Sequence, residues 1–195
     1  MPYRFWGLLD SCLAAEEALK NYGKTRTIRD QLVNLNPSNA NWQSDLFWVC
    51  HEISSVLFEL YRYQDAAESA QSCIAHAVKE GDGQVNKQFL AEAYGELAWY
   101  ELFNRKPENA INAGKKGLDL KAIDEPTNNL LNIDLAHGYL FSGQYEKAKE
   151  IYLINKDKKV WNDQSVNLTV PENFKEFRKR GINHPDMEKI ETLLH

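Results

Sequence analysis

The chain has 195 residues, of which 43% are hydrophobic and 26% charged, with a formal net charge of −5. That length suits one domain or one continuous repeat array, and the composition is that of a folded globular protein, not a disordered or low-complexity chain. Nucleic-acid binding needs a concentrated basic face; the basic runs at 156–159 and 175–180 are broken by acids or aromatics, so no nucleic-acid partner is expected.

Leu9, Leu13, Ala14, Ala18, Tyr22, Thr25, Ile28, Leu32 and Leu35 recur mostly at steps of three or four, one face of an α-helix. The pattern runs through Gly23 without a phase slip, which predicts one long helix with a weakened turn. Pro37 disfavours helix at the residue before it and ends the segment. Asp10, Glu16 and Glu17 interrupt the early apolar run, so a cleaved signal peptide is not expected.

Ser38 or Asn39 can cap the next helix, whose apolar face is Trp42, Leu46, Cys50, Ile53, Leu57 and Leu60. A turn at 61–64 leads to a partner helix over about 65–79, stopped by Gly81, Asp82 and Gly83. A further pair spans about 85–103 and 107–120, with Pro107 suited to a first helical turn. Pro126 precedes the last pair, about 128–141 and 145–154. Sustained period-two alternation is absent, so the fold class is all-α.

From Asn155 the pattern changes. Residues 156–159 form a charged loop, and 161–169 read as polar and irregular. Phe174 and Phe177 mark a short amphipathic helix ending at Gly181, and a last helix starts near Pro185 with Met187, Ile190, Leu193 and Leu194. This tail suits the open end of a helical array as a cap; the other course open to it is to fold into the groove.

Small residues sit where paired helices would cross, at Ala18, Ala66, Ala110 and Ala148, spaced 48, 44 and 38 by subtraction. Helices crossing at roughly 8–10 Å leave room only for a small side chain. With Tyr139, Gly143, Tyr145 and Tyr152 around Ala148, and with Asn36, Pro37, Asn39, Ala40, Trp42, Gln43, Asp45 and Leu46 at the first connector, the chain resembles the tetratricopeptide-repeat (TPR) family, in its long-repeat bacterial form. The tail, with Phe174, Phe177, Gly181, His184, Pro185 and Asp186, is similar to segments that follow such repeats. Gly114, Pro107 and Ala70 depart from the family pattern.

The resemblance implies a TPR-like right-handed α-solenoid of antiparallel hairpins: units near 11–35, 40–80, 85–121 and 127–154 within 1–155, then a C-terminal loop and capping helices over 156–195. It implies a concave groove lined by Trp48, His51, Ser55, Phe58, Glu92, Trp99, Leu102, Ile133, His137 and Leu140, with Gly95 and Leu130 beside them. The lysines and asparagines with which chaperone-binding members clamp a terminal carboxylate are missing, so no tight binding of acidic tails is expected. The expected activity is non-catalytic: a scaffold binding an apolar or amphipathic segment of another protein, with aromatic anchors and a rim of Glu92, His51 and His137. The alternatives are an inhibitor or immunity-type protein sequestering one enzyme or effector, a self-associating homodimer, and a small-molecule-binding or enzymatic helical domain.

Chemical motifs are thin. Cys50, His51 and Glu52 are consecutive, but neighbours on a helix point about 100° apart and form no relay. Histidines and cysteines at metal-ligand spacing are absent, residues 81–83 lack the lysine and hydroxyl of a phosphate loop, and the acceptor-like Asn167–Thr169 is read as coincidence. No cofactor or metal is expected. Three cysteines inside apolar helical patterns, and no apolar run approaching the roughly 20 residues of a membrane span, point to the cytoplasm.

Overall fold

The computed structural model describes residues 12–79, 87–121 and 123–195. The described residues form nine α-helices: α1 (Cys12–Leu35), α2 (Ala40–Glu59), α3 (Tyr63–Lys79), α4 (Lys87–Phe103), α5 (Pro107–Asp119), α6 (Glu125–Phe141), α7 (Tyr145–Asn155), α8 (Val166–Lys179) and α9 (Met187–Leu194). A 3-10 turn at Trp161–Asp163 and an isolated bridge between Lys159 and Ser165 are the other regular elements, and no strand occurs among them. The expected helix start at Leu9, the glycine stop at 81–83 and the helix start near Val85 lie outside the described residues.

Local chemistry sets the ends. Asn39 caps α2 by accepting from the Asn41 and Trp42 amides. Asp124 caps α6 through the Thr127 amide at 2.8 Å, with Pro126 in the first turn, and Pro107 opens α5. Three connections are three residues long and built alike. Tyr61, Arg105 and Gly143 take φ of 61°, 59° and 78°. The Tyr61 and Arg62 amides bond back to Phe58 and Leu57, those of Arg105 and Lys106 to Leu102 and Glu101, and those of Gly143 and Gln144 to Leu140 and Tyr139. Each is a Schellman stop that turns the chain sharply into the next helix. Glycine occupies only the third, so two side chains carry the strain of the left-handed region.

Each helix from α1 to α6 packs on the next, and α4 also packs on α6. Rings join α2 to α4: Phe47 stacks on Phe89 with centroids 5.9 Å apart, and Phe58 meets Trp99 at 6.4 Å. Thus α2 reaches α4 through its rings and α4 packs on α6, and these contacts define an α2–α4–α6 face. Ala66, Ala110 and Ala148 are fully buried at the crossings; in α1 Ala15 is the buried alanine, while Ala18 is half-buried. The tightest glycine approach to neighbouring backbone is at Gly138, where a Cβ would lie 2.8 Å from Ile111 Cγ1 and 3.3 Å from the Ile111 amide nitrogen.

Two expectations change. Ile28 and Leu35, placed on the apolar face of the first helix, are 57% and 79% exposed. Of the helices, α1 packs closely on α2 alone, so among the described residues part of its apolar stripe has no second helix against it. Second, the stretch read as irregular through 169 is helical from Val166. Val166 and Val170 are fully buried, and burying them overrides the weak helical preference of the asparagine and threonine around them.

Candidate protein-binding face

All ten residues expected to line a groove fall on α2, α4 and α6. Trp48, Ser55 and Glu92 are half-buried and keep solvent contact. Phe58, Trp99, Leu102, Ile133 and Leu140 are buried in the continuous core, and His137 is completely inaccessible.

The chain's own tail covers Phe58, Trp99 and His137 among them. Phe174 and Phe177, both fully buried, project from α8 onto the shared face. Phe177 enters a ring of Trp99, Phe103, Phe141 and His137, with centroid distances of 4.9, 4.7, 4.9 and 5.3 Å. Phe174 packs on His137 at 5.4 Å and on Tyr152 of α7 at 6.3 Å. Rings at these separations interlock by offset and edge-to-face contact. At its far end α9 buries Met187, Ile190 and Leu194 and packs on α7 and α8. The tail therefore lies on the α2–α4–α6 face and also covers α7.

A polar network fixes α8 in rotation. His137 Nδ1 lies 2.6 Å from Tyr152 Oη, and Asn173 Nδ2 lies 3.0 Å from His137 Nε2. With the Asn173 amide donating to Nε2, the imidazole carries its proton on Nδ1 and donates to the tyrosine oxygen. Burial, with Asp134 adding to it, holds the Tyr152 hydroxyl well above its ordinary pKa of 10.

Arg180 ties α8 to α2. Its side chain is only 3% exposed. The guanidinium lies over the Phe58 ring at 4.1 Å and over Tyr61 at 4.9 Å. It donates to the Phe58 carbonyl at 2.8 Å, to Glu59 at 3.0 Å and to Glu176 of its own helix. Burial works against its charge, but the bond to Glu176 and the nearby Tyr63 hydroxyl and Glu59 carboxylate outweigh it and raise the pKa.

Toward the N-terminal ends of α2 and α4 the face carries a different set. Trp48 meets Phe89 edge-on at 5.4 Å and His51 at 5.6 Å. His51 is 7% exposed, and its Nδ1 pairs with Glu96 at 2.8 Å. Gln88 donates to Glu92 at 2.9 Å. Burial disfavours the imidazolium, but Glu96, then Glu52 and Glu92, overcome it, and the His51 pKa rises above 6.5. A raised histidine pKa stabilises the fold fully below the unfolded value, and that contribution is lost as pH rises through the folded one. The stability advantage of the native chain over His51→Gln should therefore shrink as pH rises above about 6.5. Urea midpoints for both proteins measure it; a constant difference would show that the pair carries no charge-linked stability.

Sequence reasoning did not single out Phe89, Glu96, Phe103, Phe141 or, above all, Arg180. The spacing of Phe174, Phe177 and Arg180, at three-residue steps on one helix face, is the signal that points to it. Among the described residues no group of three metal-ligating side chains is found, and no helix is long and apolar enough to cross a membrane. No protein-family model matches the chain, and neither a curated protein nor a solved structure matches it.

Proposed function

We propose that this protein is a non-catalytic adaptor, a TPR-like α-solenoid whose α2–α4–α6 face recognises an amphipathic segment of another protein. One observation carries the reading: the face already grips a helix. α8 lies on it in helix-in-groove fashion, with two phenylalanines three residues apart as anchors and a polar contact at each end, through Asn173 and Arg180. Repeat arrays that present an extended inner wall use it for polypeptide recognition. The half-buried stretch of Trp48, Ser55 and Glu92 continues the same wall and is where a partner reaches it first.

Site-specific photo-crosslinking in the native host tests this. A benzophenone side chain at position 92 should give one discrete protein adduct, competed by excess unlabelled protein. The same group at Lys115, exposed on α5, should not. Equal adducts at both positions, or none at position 92, would overturn the reading.

A further inference from the structure

We propose that α8 is an exchangeable internal ligand latched by Arg180, and that the partner enters as an amphipathic helix carrying two aromatic side chains three residues apart and an arginine three further on. This rests on the reading that the α2–α4–α6 face binds a partner polypeptide, and it names the chemistry of that partner.

The first support is how α8 is held. The helices from α1 to α7 pack closely on their neighbours in sequence, whereas α8 approaches closely only α6 and α9. Its hold on α2 and α4 runs through long side chains: Phe177 on Trp99 and Phe103, and Arg180 on Phe58, Tyr61 and Glu59. Such a helix can leave without pulling apart the hairpins beneath it. Its flanks meet the hairpins at single polar contacts, Asn129 of α6 donating to the Lys159 carbonyl at 2.8 Å and Arg105 to the Gly181 carbonyl at 3.3 Å. The loop over 156–165 precedes it, and Gly181, with φ of 76°, follows.

The second support is the latch itself. The guanidinium meets the Phe58 carbonyl in the last turn of α2, where the helix dipole favours a cation, and it lies between aromatic rings that favour a planar one. Nothing in this receptor depends on Arg180 belonging to the same chain. Any helix that places arginine three residues beyond the second aromatic reproduces the contacts. What the native tail has in addition is its tether, which holds it at an effective concentration of order millimolar. A free helix with the same contacts loses that competition at micromolar concentrations until the latch weakens.

The test uses the full chain and a labelled synthetic peptide of residues 164–182. Hydrogen exchange of the native protein should show the α8 amides opening faster than those of α4 and α6, through a partial unfolding. Arg180→Ala should speed α8 exchange by about tenfold or more while changing α4 and α6 by less than about threefold. Fluorescence anisotropy should show the peptide binding Arg180→Ala at least about tenfold more tightly than the native chain, and a Phe177→Ala peptide binding neither. Exchange of α8 only together with α4 and α6 in the native protein would overturn the proposal, whether or not the variant folds. So would a folded Arg180→Ala chain that ignores the peptide. Arg180→Lys, which keeps the charge and loses the planar fork, should fall between the two. An adduct at position 92 combined with locked α8 exchange removes the latch and leaves the adaptor reading; an absent adduct removes the reading itself.

Discussion

Replacing Phe177 with alanine should lower folding stability by about 3–5 kcal/mol, the range for removing a phenylalanine from a core that cannot collapse onto the gap. The walls of this gap come from two helices of the shared face: Trp99 and Phe103 from α4, His137 and Phe141 from α6. Those helices are themselves fixed by α5, which packs on both, so they cannot close in. Four ring contacts vanish together. For a chain of this size the loss corresponds to a fall in melting temperature of roughly 10 °C. Denaturation followed by tryptophan emission reads it directly, because Trp99 loses its neighbour. A loss below about 1 kcal/mol would mean that α8 does not seat on this face.

Replacing His137 with leucine should cost about 2–5 kcal/mol, for a different reason. The volume is nearly kept, but the Tyr152 hydroxyl and the Asn173 amide lose the imidazole that lies 2.6 and 3.0 Å from them. A buried polar group deprived of its partner costs about 1–3 kcal/mol, whereas removing all the partners together is close to neutral. The triple variant His137→Leu, Tyr152→Phe, Asn173→Leu should therefore be more stable than His137→Leu alone. Equilibrium urea titrations of the single and triple variants settle the sign. A triple variant weaker than the single would show that the three groups do not act as one network.

The sequence reveals these helices unevenly, for physical reasons. Pro37, Pro107, Pro126 and Gly143 act on the backbone within a residue or two, so α1, α5, α6 and α7 begin or end where those residues require. All-helical architecture follows from apolar spacing that repeats over several turns. The places of the turns near 61 and 105 follow from the same spacing, but their backbone does not, since nothing local marks Tyr61 or Arg105 for a positive φ; the fold around them imposes it. Phe174 and Phe177 announce a face to be buried, but a pattern on one helix is silent about which other helix receives it. Arg180 is harder still. A basic residue reads as solvent-facing, and its burial depends on Phe58 and Glu59, more than a hundred positions earlier. His51 and Glu96 pair across 45 positions in the same way.

The order of synthesis gives the covered face a further meaning. Trp99, Phe103, His137 and Phe141 all leave the ribosome before Phe177 does, and at about 5–20 residues per second the interval lasts on the order of a few seconds. Through that window the hairpins are complete and their aromatic wall is bare. A nascent chain of this kind is open to clustering with its neighbours on a polysome, or to capture by a chaperone, until its own later segment arrives to shut it.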